Sequence, residues 1–75
     1  MKTKLTAIIR NEEDAYVALT PELDIASQGA TSEEAFDNLR EAVDMFFDTA
    51  SVKEIKKRLS SGSVITQFEA YYATA

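Results

Sequence analysis

The segment that most constrains this chain begins at Thr31. Thr31-Ser32-Glu33-Glu34 has the form of a capping box: the threonine oxygen can accept from the backbone N–H of Glu34, and the Glu34 side chain can return a bond to the amide of Thr31. Glu33 and Glu34 also complement the positive end of the helix dipole. Apolar residues then recur at Ala35, Phe36, Leu39, Ala42, Val43, Phe46 and Phe47. Their spacings of three and four make one stripe at helical period. Asp37, Arg40, Glu41, Asp44 and Asp48 fall on the opposite side, with Arg40 and Asp44 at i,i+4. The pattern predicts a helix from the Thr31 cap to about Asp48, roughly 27 Å at 1.5 Å per residue.

The residues before it read as strands. Lys2 to Arg10 places Leu5, Ala7 and Ile9 on one face and Thr6 and Ile8 on the other. Asn11-Glu12-Glu13-Asp14 is a polar interruption, and Ala15 to Thr20 resumes the alternation, so the two runs predict an antiparallel hairpin. Pro21 cannot donate to a ladder and ends the second strand. Leu23 to Ser27 predicts a short third strand, followed by Gly29, where a positive φ is expected at the turn into the helix.

After the long helix, Ser51-Val52-Lys53-Glu54 repeats the capping pattern and starts a shorter one. Val52, Ile55 and Leu59 are expected to face inward, with Lys53, Lys56, Lys57 and Arg58 toward water. Gly62 is expected to stop the helix as its left-handed residue. Val64 to Tyr72 alternates again, with Val64, Thr66, Phe68, Ala70 and Tyr72 as the more apolar face, and predicts a last strand against the helix. The expected fold class is α+β, in the order β-β-β-α-α-β. It is one predominantly antiparallel sheet with helices on one face, in a single domain spanning residues 1–75.

Size and composition limit how such a domain is held. A chain of 75 residues buries only about 60% of the surface that its unfolded form exposes, so its core needs a supplement. Cysteine and histidine are both absent, which excludes disulfides and Cys/His metal sites. Self-association remains, and a homodimer or higher oligomer is expected. The short Leu23–Ser27 strand, as a sheet edge, is a pairing template for it or for another chain. No apolar run approaches the ~20 residues needed to cross a bilayer, and no secretory signal follows Met1-Lys2, so a cytoplasmic location is expected.

The net charge of −5 argues against binding nucleic acid directly and favours a basic partner. The cluster Lys53, Lys56, Lys57 and Arg58 is diluted by Glu54 and reads as the solvated face of a helix. The serines lack an activating His and read as caps and turns, so no catalytic residue, cofactor or metal ligand is expected. Phe36, Phe46, Phe47 and Phe68 sit at core spacings, whereas Tyr16, Tyr71 and Tyr72 are candidate interface anchors. The carboxylates are the dense resource. Glu12, Glu13, Asp14, Glu22 and Asp24 are the candidate partner-binding residues, chosen for charge and expected exposure. A metal-dependent hydrolase built on them is the weaker reading, because three of the five sit on a turn.

Tyr16-Val17-Ala18 before Pro21-Glu22-Leu23, then Gln28-Gly29-Ala30-Thr31-Ser32-Glu33-Glu34-Ala35, then Asn38-Leu39-Arg40-Glu41-Ala42, resembles the HicB antitoxin family. The resemblance covers Tyr16 to Val43 and rests on the ordered combination of these pieces. It implies a truncated, partial ribonuclease-H-like fold without catalysis. It also implies a partner: a small basic HicA-type toxin that cuts messenger RNA, whose active and RNA-binding face the antitoxin covers. Many members of that family carry a C-terminal DNA-binding segment. This chain ends three residues after Tyr72, so neither such a segment nor operator binding is expected. The alternative reading is an orphan interaction or scaffold module without a toxin partner.

Overall fold

The computed structural model describes residues 2–61 and 64–74. Its element order is β1 (Ile8–Glu12), β2 (Ala15–Thr20), β3 (Ile25–Gly29), α1 (Ser32–Thr49) and α2 (Val52–Leu59). The three strands form one antiparallel sheet in the order β1-β2-β3. Helix α1 lies over the β3 and β2 side and covers β1 least. The architecture is α+β with an open sheet, as expected.

The hairpin is tighter than the polar run suggests. Glu12 pairs with Ala15, so the loop is only Glu13-Asp14, with Glu13 at φ 58°. Two-residue hairpin loops need such a left-handed residue to match the twist of the strands. The first strand begins at Ile8, not at Lys2. Continuing its register past Ile8–Leu19 would set Thr6 opposite Pro21, where β2 has already turned. The Glu22 carboxylate takes the Thr6 amide instead, at 2.9 and 3.0 Å. The third strand runs Ile25–Gly29, two residues later than the alternation predicts. Leu23 lies in the preceding turn and drops into the core, with Asp24 beside it at φ 55°.

Gly29 is needed for a reason other than a positive φ. It stays within β3, and a Cβ there would lie 2.6 Å from the Ala35 nitrogen and 2.8 Å from the Glu34 carbonyl carbon. The glycine lets the first turn of α1 sit directly on the strand. Thr31 caps α1 by accepting from the Glu34 amide at 3.1 Å, and Glu34 returns its bond to the Ala30 amide, one residue earlier than expected. Ala18, Leu23, Ala35, Leu39 and Val43 form the core, with Leu5, Tyr16, Ile25, Phe46 and Phe47 packed around it. Phe36 is exposed beside the Arg40 guanidinium, which lies 5.8 Å from its ring centroid.

Two expectations fail at the C-terminal end. Helix α2 is capped by Ser51 as predicted, but its eight residues do not lie on the sheet, and Val52 and Leu59 are exposed. What ties it down is a residue expected in water. Arg58 Nη1 donates to the Leu23 carbonyl at 2.8 Å, and its guanidinium stacks 4.9 Å from the Phe46 ring centroid. The guanidinium thus sets its charge against a carbonyl and an aromatic ring. The expected stop at Gly62 lies outside the described residues. The predicted last strand, Val64 to Tyr72, is not part of the sheet: residues 64–74 form no ladder and are exposed throughout. A strand exists only against a partner, and among the described residues none pairs with this segment.

Candidate functional site

Tracing each candidate carboxylate to its place separates them into two groups. Glu12, Glu13 and Asp14 sit at the β1–β2 hairpin and are exposed, whereas Glu22 and Asp24 lie in the β2–β3 turn. The six residues of β2 stand between them, roughly 17–20 Å at strand rise. The structure therefore does not gather the five residues into one site. Among the described residues, no group of three or more His, Cys, Asp or Glu side chains is placed to hold a metal ion.

Glu22 has an internal role. Half-buried, it accepts from the Thr6 amide, from the Thr6 hydroxyl at 2.7 Å and from the Thr20 hydroxyl at 3.2 Å. Burial pushes its pKa up, but the Thr6 hydroxyl and amide, its own backbone amide and the Thr20 hydroxyl outweigh that effect and hold it below the ordinary value. A depressed folded pKa contributes stability that is fully present above the unfolded glutamate value of about 4.3. That contribution is lost as pH falls through the lower folded value. Glu22→Gln is expected to cost about 1–3 kcal/mol near neutrality, as charge-assisted hydrogen bonds weaken. It should also flatten the acid limb of a urea-melt series; an acid limb unchanged by the substitution would exclude this role.

The dense exposed charge is on α1. The helix carries six acidic residues against one arginine, a net −5, while α2 carries four basic residues against one acid, a net +3. Glu33, Asp37, Glu41, Asp44 and Asp48 are all exposed. None of them has an ion-pair partner among the described residues, where the one salt bridge is Arg58–Glu54 at 3.6 Å. Amphipathic patterning places Asp37, Glu41, Asp44 and Asp48 toward solvent, as found, but gives no reason to rank them above the turn acids. Counting charge per element was the signal that distinguished them.

A UPF0150 protein of Helicobacter pylori is 31% identical to this chain over 70 residues, spanning 92% of this chain and 97% of that relative. The chain belongs to the UPF0150 family. No family model matches it, and no solved structure matches it. The match spans nearly all of both chains. No helix among the described residues is long and apolar enough to cross a membrane.

Proposed function

We propose that this chain is a HicB-like antitoxin that binds a small basic HicA-type messenger-RNA interferase and masks its active and RNA-binding face by stoichiometric occlusion. It acts without catalysis of its own. The observation that carries this reading is the acidic outer face of α1: five exposed carboxylates on one helix, with no ion-pair partner among the described residues. A surface of that kind competes with RNA phosphate for the same lysines and arginines. Its field also speeds encounter with a basic partner. The segment from Tyr16 to Val43 supports the reading independently, since its residues carry the likeness to HicB antitoxins. Membership of the UPF0150 family is compatible with it.

The test uses the product of the neighbouring gene, which this reading expects to be a small basic protein. Titration calorimetry should give a stoichiometric complex, and co-expression should relieve toxicity. Reversing Asp37, Glu41 and Asp44 together to lysine is expected to weaken binding by about 100-fold or more, at roughly 1–3 kcal/mol for each close charge pair lost. The loss should shrink as salt rises. The same reversal at Glu12, Glu13 and Asp14 compares the hairpin turn with the helix. Binding indifferent to both sets, or undiminished RNA cleavage at saturating antitoxin, would exclude the reading.

A further inference from the structure

The C-terminal arm has the pattern of a strand and the exposure of a segment separated from its partner. Val64, Phe68, Tyr71 and Tyr72 are 85–93% exposed. Three aromatic side chains held in water leave a large hydrophobic term unrealised, since each buries about 150–250 Å² when covered. The arm also stretches the molecule. The radius of gyration is 15.1 Å and the long axis 53 Å, against about 11 Å for a compact chain of this length. The arm does not fold back on its own sheet, so what it lacks must come from elsewhere.

The sheet lacks a strand at β1. All five residues of β1 are exposed, including Ile8 and Ile9, and its outer edge pairs with no strand among the described residues. The opposite edge is less open, because α1 covers β3 most closely and Asn38 Nδ2 already donates to the Gln28 carbonyl at 2.8 Å. Beside the start of β1, a groove of about 230 Å³ opens under α1, lined by Leu5, Ala7, Phe36, Leu39 and Val43 with Arg40 and Asp44 at its rim. A cavity of about 150 Å³ already accepts benzene, so this groove has room for a phenyl ring.

The two surfaces also match in sidedness. In β1, Ile9 shares the helix-covered face with Ala18, while Ile8 and Arg10 share the open face with Leu19 and Val17. In the arm, period-2 alternation puts Phe68 on one face and Glu69 on the other. If Phe68 enters the groove under α1, Glu69 lies on the side of Arg10. These are the arm's one charge and the strand's one cation, and Arg10 has no ion-pair partner among the described residues.

We propose that residues Val64–Tyr72 of one copy add as a strand to the free edge of β1 in a second copy, with Phe68 in the groove beneath α1 and Glu69 facing Arg10. The exchange is reciprocal, giving a two-fold dimer in which each sheet has four strands. On the face that meets α1, Phe68 and Tyr72 of each arm bury roughly 300–500 Å², so two arms contribute about 600–1,000 Å² of aromatic surface. That is most of the roughly 1,200 Å² at which specific interfaces begin, before backbone and neighbouring side chains are counted. Such a dimer also supplies the supplement that so small a core requires. It does not depend on the toxin-binding reading: the β1 edge and the arm lie apart from Asp37 and Glu41, and the two surfaces meet only at Asp44, on the rim of the groove.

Sedimentation equilibrium of the full chain should give twice the 8.3 kDa chain mass. Phe68→Asp should halve that mass while the far-ultraviolet spectrum stays folded. Arg10→Glu should weaken the dimer, and adding Glu69→Arg should restore it. The chain has no cysteine of its own. Arg10→Cys and Glu69→Cys proteins, mixed and oxidised, should therefore form a crosslinked heterodimer. A monomer at high concentration would overturn the proposal, and so would a fold in which the double variant Arg10→Cys/Glu69→Cys closes only within one chain. A dimer whose mass ignores Phe68→Asp and whose single-cysteine variants do not crosslink would assign association to another surface and equally overturn it.

Discussion

Gly29→Ala is expected to cost about 3 kcal/mol or more, at the upper end of the penalty for overpacking a core. The Cβ that alanine adds would sit 2.6 Å from the Ala35 nitrogen, 2.8 Å from the Glu34 carbonyl carbon and 2.9 Å from its Cβ. None of these atoms is the free end of a side chain, so the contact is relieved only by lifting the first turn of α1 away from β3. That movement also disturbs Ala35, which is fully buried in the core. Total stability for a domain of this size is about 4–11 kcal/mol, so the variant loses a large share of it and at the lower bound barely folds. Gln28→Ala is the control. Its side chain is on the open face, and its one bond to α1 is through the backbone carbonyl, so the change should stay within about 0.5 kcal/mol. Urea titration of the two variants decides the matter: equal midpoints would mean that the helix can move off the strand at little cost.

Gly29 also illustrates how far the sequence could be read. A glycine before a capping threonine is visible as a requirement. Whether the need is a backbone angle or closeness to another element depends on where α1 lands, and that is a tertiary fact. β2 and α1 were legible because their periodicity is long and the capping chemistry at Thr31 is local. β1 and β3 shifted because apolar alternation continues through Leu5 and Leu23 while the ladder does not. Leu5 packs on the core ahead of the strand, and Leu23 enters it from a turn. The arm is the opposite case: its alternation predicts a strand, but among the described residues nothing pairs with it, so no strand forms. Charge was legible as a total, but the five turn acids are divided between opposite ends of β2, and one of them, Glu22, is spent on Thr6 and Thr20. Arg58 was read as solvated because a basic residue amid lysines gives no hint that a carbonyl and a phenylalanine ring await it.

Leu23→Ala is the second large effect, expected at about 3–5 kcal/mol. Leu23 is 1% exposed and the largest fully buried side chain among the described residues. Truncating it removes transfer free energy and leaves a void bounded by α1 and the sheet. The site cannot easily collapse into that void. Asp24 holds the turn in a left-handed conformation on one side, and Arg58 grips the Leu23 carbonyl on the other. The loss should therefore spread to α2, whose hold on the body runs through the same residue. Arg58→Met, which keeps an apolar stem but removes the donor, should release α2 with a smaller loss of about 1–2 kcal/mol, by leaving the half-buried carbonyl without its charged partner. If Leu23 and Arg58 act on one locking point, the double variant should cost less than the sum of the two single changes, by about 0.5 kcal/mol or more. Additive losses in a double-mutant cycle would show that the core and the α2 anchor are separate, with α2 held by contacts other than the Arg58–Leu23 bond.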